Sequence, residues 1–261
     1  MTEQEWLASE DPAAMLRTVR REHETGQSNV ARVSDRKLRL FACACCRHPG
    51  VWVRLGAGFR RLVLAAEQAI EGLTADLDRD DWEDLQVVGW NQSDETMPKV
   101  AQAALLRDIA GNPWRPVTLP ARPNCKPGCP RAASPAEPDH RLPRVCPDCG
   151  RYWECPWLTP QVLSLAQAAY DERADDGSLD PVRLAILADA LEDAGCDDEH
   201  VLRHLRGEEY VLNRMRLGHV VTFGPDGNVI ARGPQRVEQW QPMTGPHVRG
   251  CHAVDLILGK E

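Results

Sequence analysis

A membrane-spanning helix needs about 20 consecutive apolar residues, and no run in this 261-residue chain comes near that length. The opening, MTEQEWLASEDPAAM, lacks the basic-then-apolar order of a secretion leader, so a cytoplasmic setting is expected. Positive charge is also short. A formal net charge of −8 argues against bulk attraction to nucleic acid or to an anionic membrane. There is no glycine-rich phosphate loop, no dinucleotide fingerprint and no Gly-x-Ser-x-Gly elbow, so no catalytic residue is assigned. Phe and Tyr are scarce, three each, against eight Trp. Tryptophan is enriched where proteins meet partners but also sits half-buried in ordinary cores, which leaves a protein partner as an expectation only. No repeat of fixed period runs along the chain.

What is present is a chain that folds. Its hydrophobic fraction, 43%, suits a globular protein large enough to bury a core. Most of the pattern is helical. Thr2 and Glu5 have capping-box spacing, and Asp11-Pro12 pairs an N-cap with proline at the first helical position. Ser34 or Asp35 opens a helix carrying Leu38, Phe41, Ala42 and Cys45 on one face, ended by His48-Pro49-Gly50. A longer helix is expected from Leu55 to Glu71, a short acidic one around Trp82 and Leu85, and another in MPKVAQAALLRDIAGNP, stopped at Gly111. Thr159-Pro160 and Asp180-Pro181 repeat the cap-then-proline signal. Asp197 is the expected N-cap of the helix in DDEHVLRHLRG. The period then changes, and HVVTF-GPDG-NVIAR reads as a β-hairpin at His219–Arg232. The final CHAVDLILGKE is too short for periodicity to choose between helix and strand.

Twelve of the twenty prolines fall between Pro113 and Pro160, which excludes a continuous helix or a central strand there. The same stretch holds Cys125 and Cys129, then Cys146 and Cys149. Zinc takes four ligands at tetrahedral angles, and short Cys-x-x-Cys turns deliver two thiolates from one tight loop. CPDCG resembles the knuckle of zinc ribbons and rubredoxin-like modules; CKPGC is a looser version, one residue longer. His140 and Cys155 are substitute ligands should either outer cysteine not reach. A structural zinc, closed by four thiolates, is the expected cofactor. The rival readings are free thiols in a loop without fixed structure and a redox pair, which normally sits at a helix start in a βαβ context.

Other residues carry weaker signals. Arg115, Arg122, Lys126, Arg131, Arg141, Arg144 and Arg151 make the Pro113–Arg151 stretch locally basic, with Tyr152, Trp153 and Trp157 beside it. Nucleic-acid binding is therefore an alternative, set against a solvated basic loop. Cys43 and Cys46 lie three apart in FACACC, and with Cys196, His247 or Cys251 they form a candidate second metal cluster, set against small buried thiols that let helices pack closely. His247, Arg249 and Cys251 in GPHVRGC also suggest a cysteine–histidine nucleophile pair, the enzyme alternative. The acids in ADALEDAGCDDE read as a solvated helix face.

Four blocks stand out together: SDRKLRLFACACCRH (34–48), LLRDIAGNPWRPV (105–117), LAILADALEDAGC (184–196) with LRHLRG (202–207), and GPHVRGCHAVDLILGKE (245–261). They resemble a large paralogous family of bacterial proteins for which no activity is established. The resemblance implies one helical body, 1–112, 159–209 and 245–261, interrupted by a zinc-ribbon-like insertion at 113–158 and a hairpin insertion at 210–244. The expected fold is thus mainly α, a single helical domain with a small β-hairpin near the C-terminus. The expected function is that of a zinc-stabilised scaffold or protein-interaction module, without enzymatic activity.

Overall fold

Caps account for most helix starts. In the computed structural model, described for residues 1–20, 33–91, 95–117, 119, 122–123, 128–129, 153–208, 210–223, 229–242 and 246–260, the chain is mainly helical. Helix α1 (Glu3–Ala8) opens on the expected box, with the Thr2 hydroxyl accepting from the Glu5 N–H and the Glu5 carboxylate from the Thr2 N–H. α2 (Pro12–Arg20) begins where the Asp11 carboxylate accepts from Ala13 and Ala14. α3 (Asp35–Arg47) is capped by Ser34. His48-Pro49 ends α3 as expected, but the proline then starts a further short helix, α4 (Pro49–Trp52), because its fixed φ and missing N–H suit a first turn.

α5 (Ala57–Ile70), α6 (Arg79–Trp90) and α7 (Lys99–Ala110) follow. α8 (Pro160–Asp171) and α9 (Pro181–Asp193) are capped by Thr159 and Asp180, as their cap-proline pairs implied. α10 (Glu199–Leu205) is capped by Asp198 rather than Asp197, since the Asp198 carboxylate is the one that accepts from His200 and Val201. The ambiguous C-terminal run is a helix, α11 (His252–Leu258), ended by Gly259 in the left-handed conformation.

For the strand segments only the backbone is described. β1 (Arg122–Pro123) pairs antiparallel with β2 (Trp153–Glu154), drawing together the two ends of the proline-rich stretch. β3 (Tyr210–Phe223) pairs antiparallel with β4 (Val229–Pro242), with register shifts at Leu212/Arg214 and Thr222/Phe223. The GPDG turn of the expected hairpin lies outside the described residues, as do Cys125, His140, Cys146 and Cys149 of the expected zinc ribbon.

Three apolar clusters fill the body. One joins α8, α9, α10 and α11 through Val162, Tyr170, Leu184, Leu187, Leu191 and Ile257. A second joins α1, α2, α3 and α7 through Trp6, Met15, Phe41, Leu106 and Ile109. A third lies where α3 meets α5 and α6, around Cys43, Cys46, Val63, Trp82 and Leu85. The FACACC run has a packing role here. Its small side chains let α6 approach so closely that a Cβ on Gly89 would lie 2.7 Å from the Ala42 carbonyl oxygen. All six tryptophans whose side chains are described are buried or half-buried, so they contribute to packing before they offer anything to a partner.

Candidate metal centre

Polar residues interrupt the buried faces of two helices. On α7, Asp108 sits between Leu105 and Ile109 and is only 2% exposed; on α10, His204 sits among Val201, Leu202 and Leu205 and is fully buried. A carboxylate or an imidazole at such a position needs a compensating partner, because the desolvation of an unpaired polar group is costly. Both find partners in the turn before α11, which brings in His247, 8% exposed, and Cys251, fully buried.

The four side chains converge. His247 Nδ1 lies 2.7 Å from Asp108 Oδ1, and His204 Nε2 lies 3.2 Å from the same oxygen. His204 Nε2 is also 3.2 Å from Cys251 Sγ, and that sulfur is 4.0 Å from His247 Nδ1. One oxygen, two nitrogens and one sulfur thus fall within 4.8 Å of one another. Tetrahedral zinc, with bonds of about 2.0–2.3 Å to O, N and S, would separate such ligand atoms by about 3.3–3.6 Å.

A surrounding layer holds this group in place. The other Asp108 oxygen accepts from the Val248 N–H at 2.9 Å. The His252 Nδ1–H donates to the Asp108 backbone carbonyl at 3.0 Å, and its ring lies 4.1 Å from the His204 ring, centroid to centroid. Gly111, at φ 66°, gives His252 its space, since a Cβ there would lie 3.0 Å from the imidazole. The group also spans two apolar clusters. Asp108 lies on α7 of the second, whereas His204 and Cys251 belong to elements of the first.

The electrostatics favour an ionised carboxylate and thiolate despite burial, and they place on His247 a proton that a metal ion would have to displace. Burial alone would raise the Asp108 carboxyl, but the charge of His247 and hydrogen bonds from both histidines hold it far below the carboxylate range. Burial opposes protonation of His247, yet the Asp108 charge and hydrogen bond push it up to about 10. Cys251 is unlike the thiols of α3. Burial drives Cys43 and Cys45 well upward. At Cys251 burial and the Asp108 charge act the same way, but His204 and His247 outweigh them and the thiol is lowered. A lowered thiol fully out of solvent is a poised ligand.

The same residues form a poor catalytic relay. In a nucleophile triad the base uses one nitrogen for the nucleophile and its other nitrogen for the orienting acid. Here a single nitrogen of His204 faces both Cys251 and Asp108, and Cys251 has no exposed surface from which to attack a substrate.

Of the residues the sequence singled out, the structure brings together His247 and Cys251. The other members of the expected cluster lie elsewhere. Cys43 and Cys46 turn toward α5 and α6, where the Cys46 thiol faces the Leu85 carbonyl at 4.0 Å, and Cys196 packs against α8 and α9. Cys129 and Cys155 are half-buried, and the partners expected for them lie outside the described residues. Asp108 and His204 carried no motif. Their only signal was a polar residue at an apolar position of a helical period. Among the described residues no helix is long and apolar enough to cross a membrane. Searches against family models, curated proteins and solved structures return no match.

Proposed function

We propose that the chain is a zinc-stabilised helical scaffold, with Asp108, His204, His247 and Cys251 as ligands of one structural Zn²⁺. The observation that carries this reading is the convergence of four ligand atoms of three chemical kinds, from residues at most 8% exposed, on one point between two apolar clusters. Imidazole and thiolate favour zinc over magnesium or calcium, which take oxygen ligands. Four protein ligands fill a tetrahedral shell and leave no place for water or substrate, so the role is structural and the scaffold non-enzymatic.

The work of the metal is to close the chain. Asp108 and His247 are 139 residues apart and His204 and Cys251 are 47 apart. A bond between such distant positions removes conformational freedom from the unfolded chain and ties α7, α10 and the turn before α11. Three of the four blocks that carry the family resemblance supply these ligands: LLRDIAGNPWRPV, LRHLRG and GPHVRGC. The site therefore belongs to the body and not to either insertion.

A second zinc, held by Cys125, Cys129, Cys146 and Cys149, is part of the same proposal. The pairing of β1 with β2 supports it, because joined ends make the intervening stretch a closed excursion. The segment with β3 and β4 is the hairpin insertion of this reading.

Metal analysis of the purified chain tests both sites. Wild type should carry two zinc ions, Cys251→Ser one, and Cys146→Ser one. Equal zinc in wild type and Cys251→Ser refutes the body site; equal zinc in wild type and Cys146→Ser refutes the other.

A further inference from the structure

Beside the ligand cluster lies a cavity of about 170 Å³, large enough for a small molecule rather than a single water. Its walls come from the start of α3, the end of α7 with the turn after it, and α11. Val33, Pro113, Pro116, Val117 and Leu256 make most of the surface apolar. Ser34, Lys37, Asn112 and His252 supply polar groups, and no carboxylate lines it among the described residues.

Lys37 is the unusual member. It is 8% exposed, a burial that lysine avoids unless paired. An ammonium carries three N–H donors. One goes to the Ile109 carbonyl at 3.0 Å. The nearest carboxylate oxygen, Asp255 Oδ2, is 3.9 Å away, too far for a hydrogen bond, and it already accepts from Arg36 at 2.7 Å. Two N–H groups of a buried cation thus have no acceptor among the described residues. Leaving such donors without a partner costs more than an ordinary hydrogen bond gains.

The rest of the lining narrows the ligand. The Asn112 amide is committed, donating to Glu3 Oε1 at 2.7 Å and accepting from the Trp114 N–H at 3.0 Å. The Ser34 hydroxyl accepts from the Lys37 backbone N–H at 3.4 Å, so its own O–H is available as a donor. The ammonium donors of Lys37, the Ser34 hydroxyl, a fixed positive charge and mostly apolar walls together describe a receptor for a small anion with a short hydrocarbon tail.

We propose that this cavity binds a short-chain carboxylate, its oxygens accepting from Lys37 and Ser34 and its tail lying against Val117 and Leu256. A carboxylate suits the site because its two oxygens accept several hydrogen bonds at once, and bonds between charged partners are the stronger kind. An amine of the same size brings a second cation beside Lys37 and is repelled. This inference goes beyond the scaffold reading and does not rest on it, since none of the four ligand residues lines the cavity.

Calorimetric titration of the full chain with the sodium salts of acetate through hexanoate is the test, with n-butylamine as the control. At least one carboxylate should bind saturably, and n-butylamine should not. Lys37→Met should weaken that binding at least tenfold. Leu256→Phe, which fills the space and leaves the charge, should do the same and keeps the test decisive should Lys37→Met fail to fold. Absence of binding by every carboxylate in the series overturns the proposal, as does equal binding by wild type and Leu256→Phe. A chain that holds no metal yet binds butyrate would refute the zinc reading and leave this one standing.

Discussion

Glu67 shows how a single buried charge is kept in this protein. It is 4% exposed, and its two oxygens accept from Arg47 at 3.1 and 2.8 Å, with Arg173 on the second oxygen. Burial pushes the carboxyl upward, but hydrogen bonds and charge from Arg47 and Arg173 outweigh it, and the net direction is below the ordinary 4.5. A carboxyl whose folded value is lowered contributes stability that is present above its unfolded value and is lost as pH falls through the folded one. Glu67→Gln should therefore cost about 3 kcal/mol at pH 7, because it leaves two arginines facing a neutral amide. In denaturant melts across pH, the gap between wild type and variant should narrow steadily below pH 4.5. A gap that stays constant down to acid pH would contradict this account of the residue. Asp108 obeys the same logic with different partners. It was hidden in the sequence because only the fold reveals that His247, 139 residues away, is its neighbour.

Elements were the legible layer, and the reasons are local. Thr2, Ser34, Thr159 and Asp180 announce helix starts because a cap needs only its own first turn. The same locality explains the miss at Asp197, where two adjacent aspartates offer the same side chain and only the backbone decides which one caps. The FACACC run had two local readings, ligands or small packing residues. Its contact with α6 selected the second, a tertiary fact beyond any short window. The joint after α7 is a more consequential element. Gly111 turns the chain at φ 66° and leaves room for the His252 ring that packs on His204. Gly111→Ala should cost about 1–3 kcal/mol, from the left-handed backbone alone, before any shift of His252. Thermal unfolding measures that cost, and the zinc content of the purified variant should fall with it. A fully metallated variant of unchanged stability would remove His252 and its glycine from the support of the site.

At the scale of the whole molecule, two apolar clusters share a buried Asp–His–His–Cys group that neither contains by itself. The sequence raised the expectation of a metal and directed attention to the paired cysteines at 125–149. The buried Asp–His–His–Cys group escaped it because its members arrive singly, from α7, from α10 and from the turn before α11, and a lone Asp or His on a helix has no spacing to read. His247 and Cys251, four apart in one turn, were the only local trace. If a metal joins the two clusters, its removal should loosen the interface between them before it unfolds either one. The most direct measurement is zinc-edge X-ray absorption on the full chain carrying Cys125→Ser, Cys129→Ser, Cys146→Ser and Cys149→Ser, which removes all four cysteines of the other proposed site and leaves the body residues unchanged. One zinc with a single sulfur neighbour at about 2.3 Å and three nitrogen or oxygen neighbours at about 2.0–2.1 Å is the predicted shell. A zinc-free protein, or a zinc surrounded by sulfur alone, would contradict the central claim.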